Sequence, residues 1–303
     1  MTSDTACGVR IWRINEHHLM IRNQRKPRFR AMLNEPPFRF FCRAILKAGV
    51  GTWEQKALFD ALPYSQYATG LQTACRYADT FGEKKFTAIE FGVAGGNGLV
   101  ALASHAQQIK HHTGIEVDVV GFDTGVGLPA VDDWRDAPWF YSPGDYPGDP
   151  SALQRRLEGR AELVLGDIRG TFREWLRGEH RAPIGFISID VDYYSSTAGI
   201  LDSLANCNAD ALLPIASVYL DDILCYGVPR CAGELAAMEE FNRNNPTRQF
   251  DRADWVSEFR PYREALWLKR LFDLYCFDHP KMKCSASRQI RRLDLAGGTK
   301  TLA

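Results

Sequence analysis

At 303 residues, with 45% hydrophobic and 24% charged side chains, the chain has a globular composition and room for one large α/β domain with extensions. Its 37 basic and 37 acidic residues cancel, so no global field draws it to nucleic acid. No run of about eighteen apolar residues exists to form a membrane span. The ends are basic: Arg10, Arg13, Arg22, Arg25, Lys26, Arg28 and Arg30 outnumber Asp4 and Glu16, and Lys281, Lys283, Arg288, Arg291 and Arg292 follow Pro280. Such ends could touch an anionic partner, but solvated termini are the simpler reading. Residues 1–60 are therefore read as a basic, helical extension, 61–280 as the functional domain, and 281–303 as a basic tail. The eight cysteines are scattered without a C-x-x-C pair, which argues against a zinc knuckle or redox motif. Unpaired cysteines, together with an N-terminus that lacks an apolar leader, make a reducing, cytoplasmic location the expectation.

Residues 36–85 read as mostly helical, with Tyr67, Leu71, Ala74, Cys75 and Ala78 on one face and Gly82 as a stop. From Phe86 short apolar runs alternate with helical stretches. Strands are predicted at Phe86–Phe91, Val117–Phe122, Ala161–Leu165, Ile184–Ile189, Ala216–Leu220 and Leu271–Phe277. Helices are predicted at about Asn97–Ile109, at Ser151–Leu157, at Gly170–Arg177, through Leu201 and Leu204, and from Gly233 with Leu235, Met238 and Phe241 on one side. A loop rich in Pro, Gly, Trp and Tyr covers Thr124 to Pro150. This alternation builds a parallel sheet with helices on both faces. Ligands of such sheets bind beyond the carboxyl ends of the strands.

The residues at those ends carry the chemistry. The first strand runs into Glu90-Phe91-Gly92-Val93-Ala94-Gly95-Gly96-Asn97-Gly98, four glycines within seven positions between strand and helix. Glycine permits a sharp turn and a close ligand, and the next helix offers free N–H groups; a plain strand-helix turn is the alternative. Asp123 ends the second strand, where it could accept both hydroxyls of a ribose or cap a turn. Asp167 and Ile168 end the third, placed for an adenine amino group and ring, or for an N-cap. The fourth ends in Asp190-Val191-Asp192-Tyr193-Tyr194-Ser195-Ser196-Thr197, and the fifth in Asp221-Asp222. Four carboxylates at neighbouring strand ends repel unless a cation neutralises them, and Mg²⁺ takes a few carboxylates plus waters and substrate oxygens. Capping or arginine pairing is the competing role, above all for Asp192, which is out of phase with its strand.

Taken together, these segments resemble a known family. Glu90 to Gly98 is similar to the first motif of class I S-adenosylmethionine (SAM)-dependent methyltransferases. Gly121-Phe122-Asp123-Thr124-Gly125-Val126-Gly127-Leu128-Pro129, Ile189 to Thr197 and Asp221-Asp222 resemble the macrocin O-methyltransferase family of metal-dependent sugar O-methyltransferases. The resemblance covers Tyr64 to Pro280 and implies a Rossmann-like class I methyltransferase fold, with a mostly parallel seven-stranded sheet and an N-terminal helical extension. It implies that Glu90, Gly92 and Gly96 hold the methionine end of SAM, Asp123 the ribose, and Asp167 with Ile168 the adenine. Asp190, Asp221 and Asp222 would hold Mg²⁺. Two departures stand out: the family's first motif has bulkier residues at Ala94 and Gly95, and Trp134 to Pro150 is individual to this chain.

The expected reaction is O-methylation of a small hydroxylated molecule by a homo-oligomer, with Asp190 or Asp192 taking the hydroxyl proton. The loop Trp134 to Tyr146 is a candidate lid. Glu234 reads as a helix-dipole partner and His279 as a structural histidine after a strand. Two rivals remain. Gly96-Asn97-Gly98-Leu99-Val100-Ala101 formally fits the G-x-G-x-x-A of an NAD-dependent oxidoreductase, but it starts after the strand has ended and leaves the later acids unexplained. The other rival is a noncatalytic SAM-binding or scaffold protein acting through its basic ends.

Overall fold

In the computed structural model the described residues are 36–178 and 181–283, with two short strands at 291–293 and 299–301. The basic residues before position 35 lie outside them. Three helices come first: α1 (Phe38–Lys47), α2 (Trp53–Leu58) and α3 (Ser65–Thr80). The predicted face of α3 is buried, from Tyr67 to Ala78. Then β1 (Lys85–Phe91), α4 (Asn97–Thr113), β2 (Glu116–Asp123), α5 (Pro150–Leu157), β3 (Glu162–Leu165), α6 (Ile168–Leu176) and β4 (Ile184–Ile189) alternate. They are followed by α7 (Tyr194–Asn206), β5 (Leu212–Leu220), α8 (Gly233–Asn244), β6 (Arg248–Arg252), α9 (Trp255–Glu258), β7 (Leu271–Cys276) and α10 (Pro280–Lys283).

The seven strands form one sheet in the order β3-β2-β1-β4-β5-β7-β6. The pairings from β3 to β5 are parallel, and β7 runs antiparallel to both β5 and β6. This is the expected Rossmann-like class I methyltransferase sheet. Central strands are covered on both faces, which is why β4 is buried at every residue and reads as a nearly continuous apolar run, broken only by Ser188. One core layer packs Phe91, Phe122, Phe172 and Trp175 on one face, with Phe91 and Phe122 stacked at 5.1 Å. The other packs Tyr67, Leu71, Leu99 and Leu102.

The strand order reverses between β1 and β4. The glycine-rich turn after β1 therefore lies at the switch point, where a crevice opens between connections leaving in opposite directions. The predicted boundaries of β4 hold to the residue. β5 starts four residues earlier than predicted, at Leu212. α6 starts at Ile168 rather than Gly170, because Asp167 caps it by accepting from the Arg169 N–H. β6 was not predicted: Arg-Gln-Phe-Asp-Arg is an edge strand whose order comes from antiparallel pairing to β7, not from an apolar run. Among the described residues no helix is long and apolar enough to cross a membrane.

Candidate active site

A cavity of about 330 Å³ lies over the carboxyl ends of β1 to β5. Of the ten site residues predicted, eight line it: Gly92, Asp123, Asp167, Ile168, Asp190, Asp192, Asp221 and Asp222. Glu90 and Gly96 stand outside its lining.

The turn after β1 is built around Asp123. Its Oδ2 accepts from the N–H groups of Val93 and Ala94, each at 2.8 Å, and its Oδ1 accepts from the Gly125 N–H at 2.6 Å. Three backbone donors hold this carboxylate at the cavity rim. Gly92 has φ of +82°, and a Cβ there would sit 1.7 Å from the Asp190 carbonyl oxygen. Only glycine lets the two strand ends come this close. Gly96 lies against Leu153 of α5, and Arg156 of the same helix donates to the Gly95 carbonyl and Asn97 Oδ1. α5 thus braces the turn from outside. Gly98 and Ala101, part of the nominal dinucleotide pattern, lie within α4.

Glu90 lies beneath the turn. Its Oε1 accepts from the Tyr67 hydroxyl at 2.8 Å, and that hydroxyl accepts from Ser188 at 3.0 Å. Glu90 Oε2 is buried without a partner, and burial raises its carboxyl from the ordinary 4.5 to about 8. At the other end of the cavity, Asp167 has both a structural role and a place in the lining. It caps α6 and pairs with Arg169 at 2.6 Å while lining the cavity beside Ile168. Arg169 also contacts Asp132 in the long loop, and the hydrogen bonds from Arg169 hold the Asp167 carboxyl below its ordinary range.

The acids over β4 and β5 are in the opposite state. One ligand oxygen each of Asp190, Asp221 and Asp222 lie within 4.8 Å of one another. Burial, then the charges of Asp222, Asp221 and Asp192, push Asp190 well above the usual carboxylate range. Burial and the charges of Asp192 and Asp221 push Asp222 up to about 8. Asp222 Oδ2 is buried without a partner. Asp192 has φ of +59°, a left-handed bend that turns the chain out of strand phase and into the cavity. Burial raises its carboxyl while the nearby Tyr141 hydroxyl opposes the shift. Asp221 alone is compensated within the chain, accepting from Tyr219 Oη at 2.7 Å and pairing with Arg270 at 2.6 Å.

Glu234 does more than sit in the first turn of α8. Its two oxygens accept from the N–H groups of Val191, at 3.1 Å, and Asp222, at 3.0 Å, tying together the chain segments that carry the acids. Burial and the charges of Asp222 and Asp190 raise it well above its ordinary range. His279, by contrast, is buried outside the cavity, with its Nδ1 accepting from the Lys281 N–H at 3.0 Å.

The long loop is anchored to the fold. Fully buried Asp136 accepts from Ser195 N–H at 2.7 Å, from the Ser195 hydroxyl at 3.0 Å, and from the N–H groups of Asp132 and Asp133 at 3.1 Å each. Tyr141 packs edge-on to buried Tyr193 at 6.2 Å. The loop presents Thr124, Gly127, Leu128, Pro129, Asp145 and exposed Tyr146 to the cavity. Asp136, Tyr67, Ser188 and Arg270 were not singled out from the sequence, and no local motif marks their roles.

No family model matches the chain, and no curated protein matches it. Among solved structures it is similar to CalS11, a calicheamicin methyltransferase, at 22% identity and a TM-score of 0.43, covering 68% of this chain and 84% of that one. It is similar to the O-methyltransferase NovP at 15% identity and a TM-score of 0.44, covering 59% and 71%. A third is TomG from Streptomyces achromogenes, an O-methyltransferase involved in tomaymycin synthesis and solved in complex with SAM. It shares 13% identity over 72% of this chain and 85% of that one, at a TM-score of 0.38.

Proposed function

We propose that the chain is a SAM-dependent O-methyltransferase that uses Mg²⁺ and acts on a hydroxyl of a small molecule of sugar or natural-product type. One observation carries this reading. A single cavity joins a glycine turn and an oriented ribose-type acceptor, Asp123, to a cluster of under-compensated acids at the ends of β4 and β5.

Gly92 and the turn would hold the methionine end of SAM with Glu90 beneath it and Gly96 behind it. Asp123 would take the ribose, and Asp167 with Ile168 the adenine. The orphaned buried oxygen of Asp222 and the raised carboxyls of Asp190 and Asp222 fit a hard divalent cation. Mg²⁺ there would lower the pKa of an acceptor hydroxyl and help position it. In the transfer, a C–O bond forms to the methyl carbon as the S–C bond breaks, and the hydroxyl proton passes to a carboxylate. Asp190 and Asp192 both line the cavity, and either can be the base. The chain's main contribution is alignment, which fixed cavity walls favour. Free cysteines, with Cys75 and Cys276 buried, suit a cytoplasmic location, and association into a homo-oligomer belongs to the same proposal.

Calorimetric titration tests the cofactor. S-adenosylhomocysteine (SAH) is expected to bind and NAD is not; binding of NAD alone replaces this reading with the oxidoreductase. Turnover against a pool of hydroxylated metabolites is expected with Mg²⁺ and lost with chelator. SAH binding without any turnover would favour a noncatalytic binding protein.

A further inference from the structure

A second cleft, larger at about 910 Å³, is walled by segments that lead toward the acids. Arg43 and Lys47 of α1, the segment Asp60 to Gln66, and Tyr262 to Trp267 form its walls. Topology puts it beside the acids. α3 begins at Ser65, and its Tyr67 reaches Glu90 at the end of β1. The segment 262–267 leads into Arg270, which pairs with Asp221, and into Leu271, which pairs with Tyr219 near the end of β5. Tyr64 stands where the cleft meets the acids. It lines the cleft, and burial with the charges of Glu90, Asp190 and Asp221 raises its phenol. Its backbone is left-handed, at φ of +49°, and its ring packs on Tyr67 at 5.3 Å.

The charges of this cleft are sorted. Of its two acids, Asp60 is buried and paired with Arg260 at 2.5 Å, while Glu264 is largely exposed and faces Arg39 at 3.6 Å. Its two cations are placed differently. Arg43 donates Nε to the Asp60 carbonyl at 3.0 Å and lies over the Tyr262 ring at 5.1 Å, which fixes the guanidinium. Neither Arg43 nor exposed Lys47 forms an ion pair among the described residues. The wall on α1 is therefore net positive, while the end toward Tyr64 holds neither cation. A ligand lying along the cleft meets these cations at one end only.

We infer that this cleft seats the methyl acceptor and selects a hydroxylated molecule carrying an anionic group, phosphate or carboxylate. Arg43 and Lys47 bind the anion while the hydroxyl extends past Tyr64 to the acids. The inference rests on the methyltransferase reading. Its electrostatics are specific: the α1 cations attract the anionic end, which leaves the hydroxyl end for Asp190 and Asp222. Arginine fixed over an aromatic ring is preorganised for oxyanions.

The test uses the full chain saturated with SAH in metal-free buffer, so that no anion binds by way of a metal at the acids. Inorganic pyrophosphate and malonate are titrated calorimetrically, one for each source of anion. At least one is expected to bind, and to bind roughly tenfold more weakly to Arg43→Gln and to Lys47→Gln, the loss typical of one charge-assisted hydrogen bond. SAH affinity should not change in either variant. Lys47 is exposed, so its variant keeps the test open should Arg43→Gln fold poorly. SAH binding with no anion binding, or anion binding indifferent to both substitutions, overturns the inference and leaves the methyltransferase reading standing. Failure of SAH to bind removes that reading instead.

Discussion

The two halves of the cavity solve the same problem in opposite ways. Over β1 to β3 the two acids that line the cavity are satisfied within the chain. Asp123 has three backbone donors, and Asp167 has a capping N–H and a guanidinium. Over β4 and β5 Asp190, Asp192 and Asp222 crowd together with raised proton affinities, and only Asp221 has its own arginine. The first arrangement makes a rigid cradle that is stable when empty. The second stores like-charge repulsion that a cation can relieve. Under the proposed function, recognition and reaction chemistry would fall on separate strands of one sheet.

The sharpest way to break this contrast is to remove the crowded acids. Asp221→Ala with Asp222→Ala should lower methyl transfer by about 10²-fold or more, the scale for losing a main electrostatic or acid-base element. SAH affinity should stay within about threefold, since a satisfied cradle does not depend on them. Initial rates with Mg²⁺ and with chelator, alongside calorimetry, check both halves of that statement. Full activity in the double variant would end the metal reading.

A second expectation concerns Glu90, which is buried like the crowded acids but lies under the cradle. Its proton affinity rises from the ordinary 4.5 to about 8 on folding. Between those values the native state holds a proton the unfolded state has lost. Its contribution is thus fully present below about pH 4.5 and declines as the pH rises toward 8. Each pH step across that window costs at most about 1.4 kcal/mol. Thermal melting of the ligand-free protein from pH 5 to pH 9 should fall more steeply for the wild type than for Glu90→Gln. Parallel curves would place Glu90 outside this balance.

Smaller effects probe the cradle itself. Asp123→Asn keeps one acceptor oxygen but not both, so at least one turn N–H loses its partner. About 1–3 kcal/mol of stability should go, with SAH affinity reduced about tenfold; chemical denaturation and calorimetry measure the two. Smallest of all is Asp167→Asn. Its pairing with Arg169 is half-exposed, so stability should change by less than about 1 kcal/mol. A drop in SAH affinity without a stability change would separate an adenine contact from a helix cap, the two roles that overlap at this residue.

Legibility followed the range of the interactions. The strand-end acids could be read because a strand, a turn and a helix are local and each ends on its own signal. Ile184–Ile189 is apolar at all but Ser188, as a strand covered on both faces requires, and its next residue is Asp190. Tyr67 read as one more apolar position on a helix face. Its hydroxyl matters only because α3 lies across β1 and β4, bringing Glu90 and Ser188 within reach. Asp136 read as loop, yet it fastens that loop to α7 through Ser195, 59 positions away. β6 carried no apolar pattern, since an edge strand is ordered by its partner.

By itself the sequence determined the order of strands and helices apart from β6, the glycine turn, and the set of acids at the carboxyl ends of the strands. Periodicity and turn chemistry act over a few residues and need nothing distant. Only the tertiary structure decided which acids are satisfied and which are crowded. Asp221 and Asp222 are adjacent in the chain; one meets Arg270, and the other meets Asp192 and Asp190. That difference arises from the sheet reversal at β1 and β4 and the antiparallel return of β7, which set the partners of each carboxylate across tens of residues.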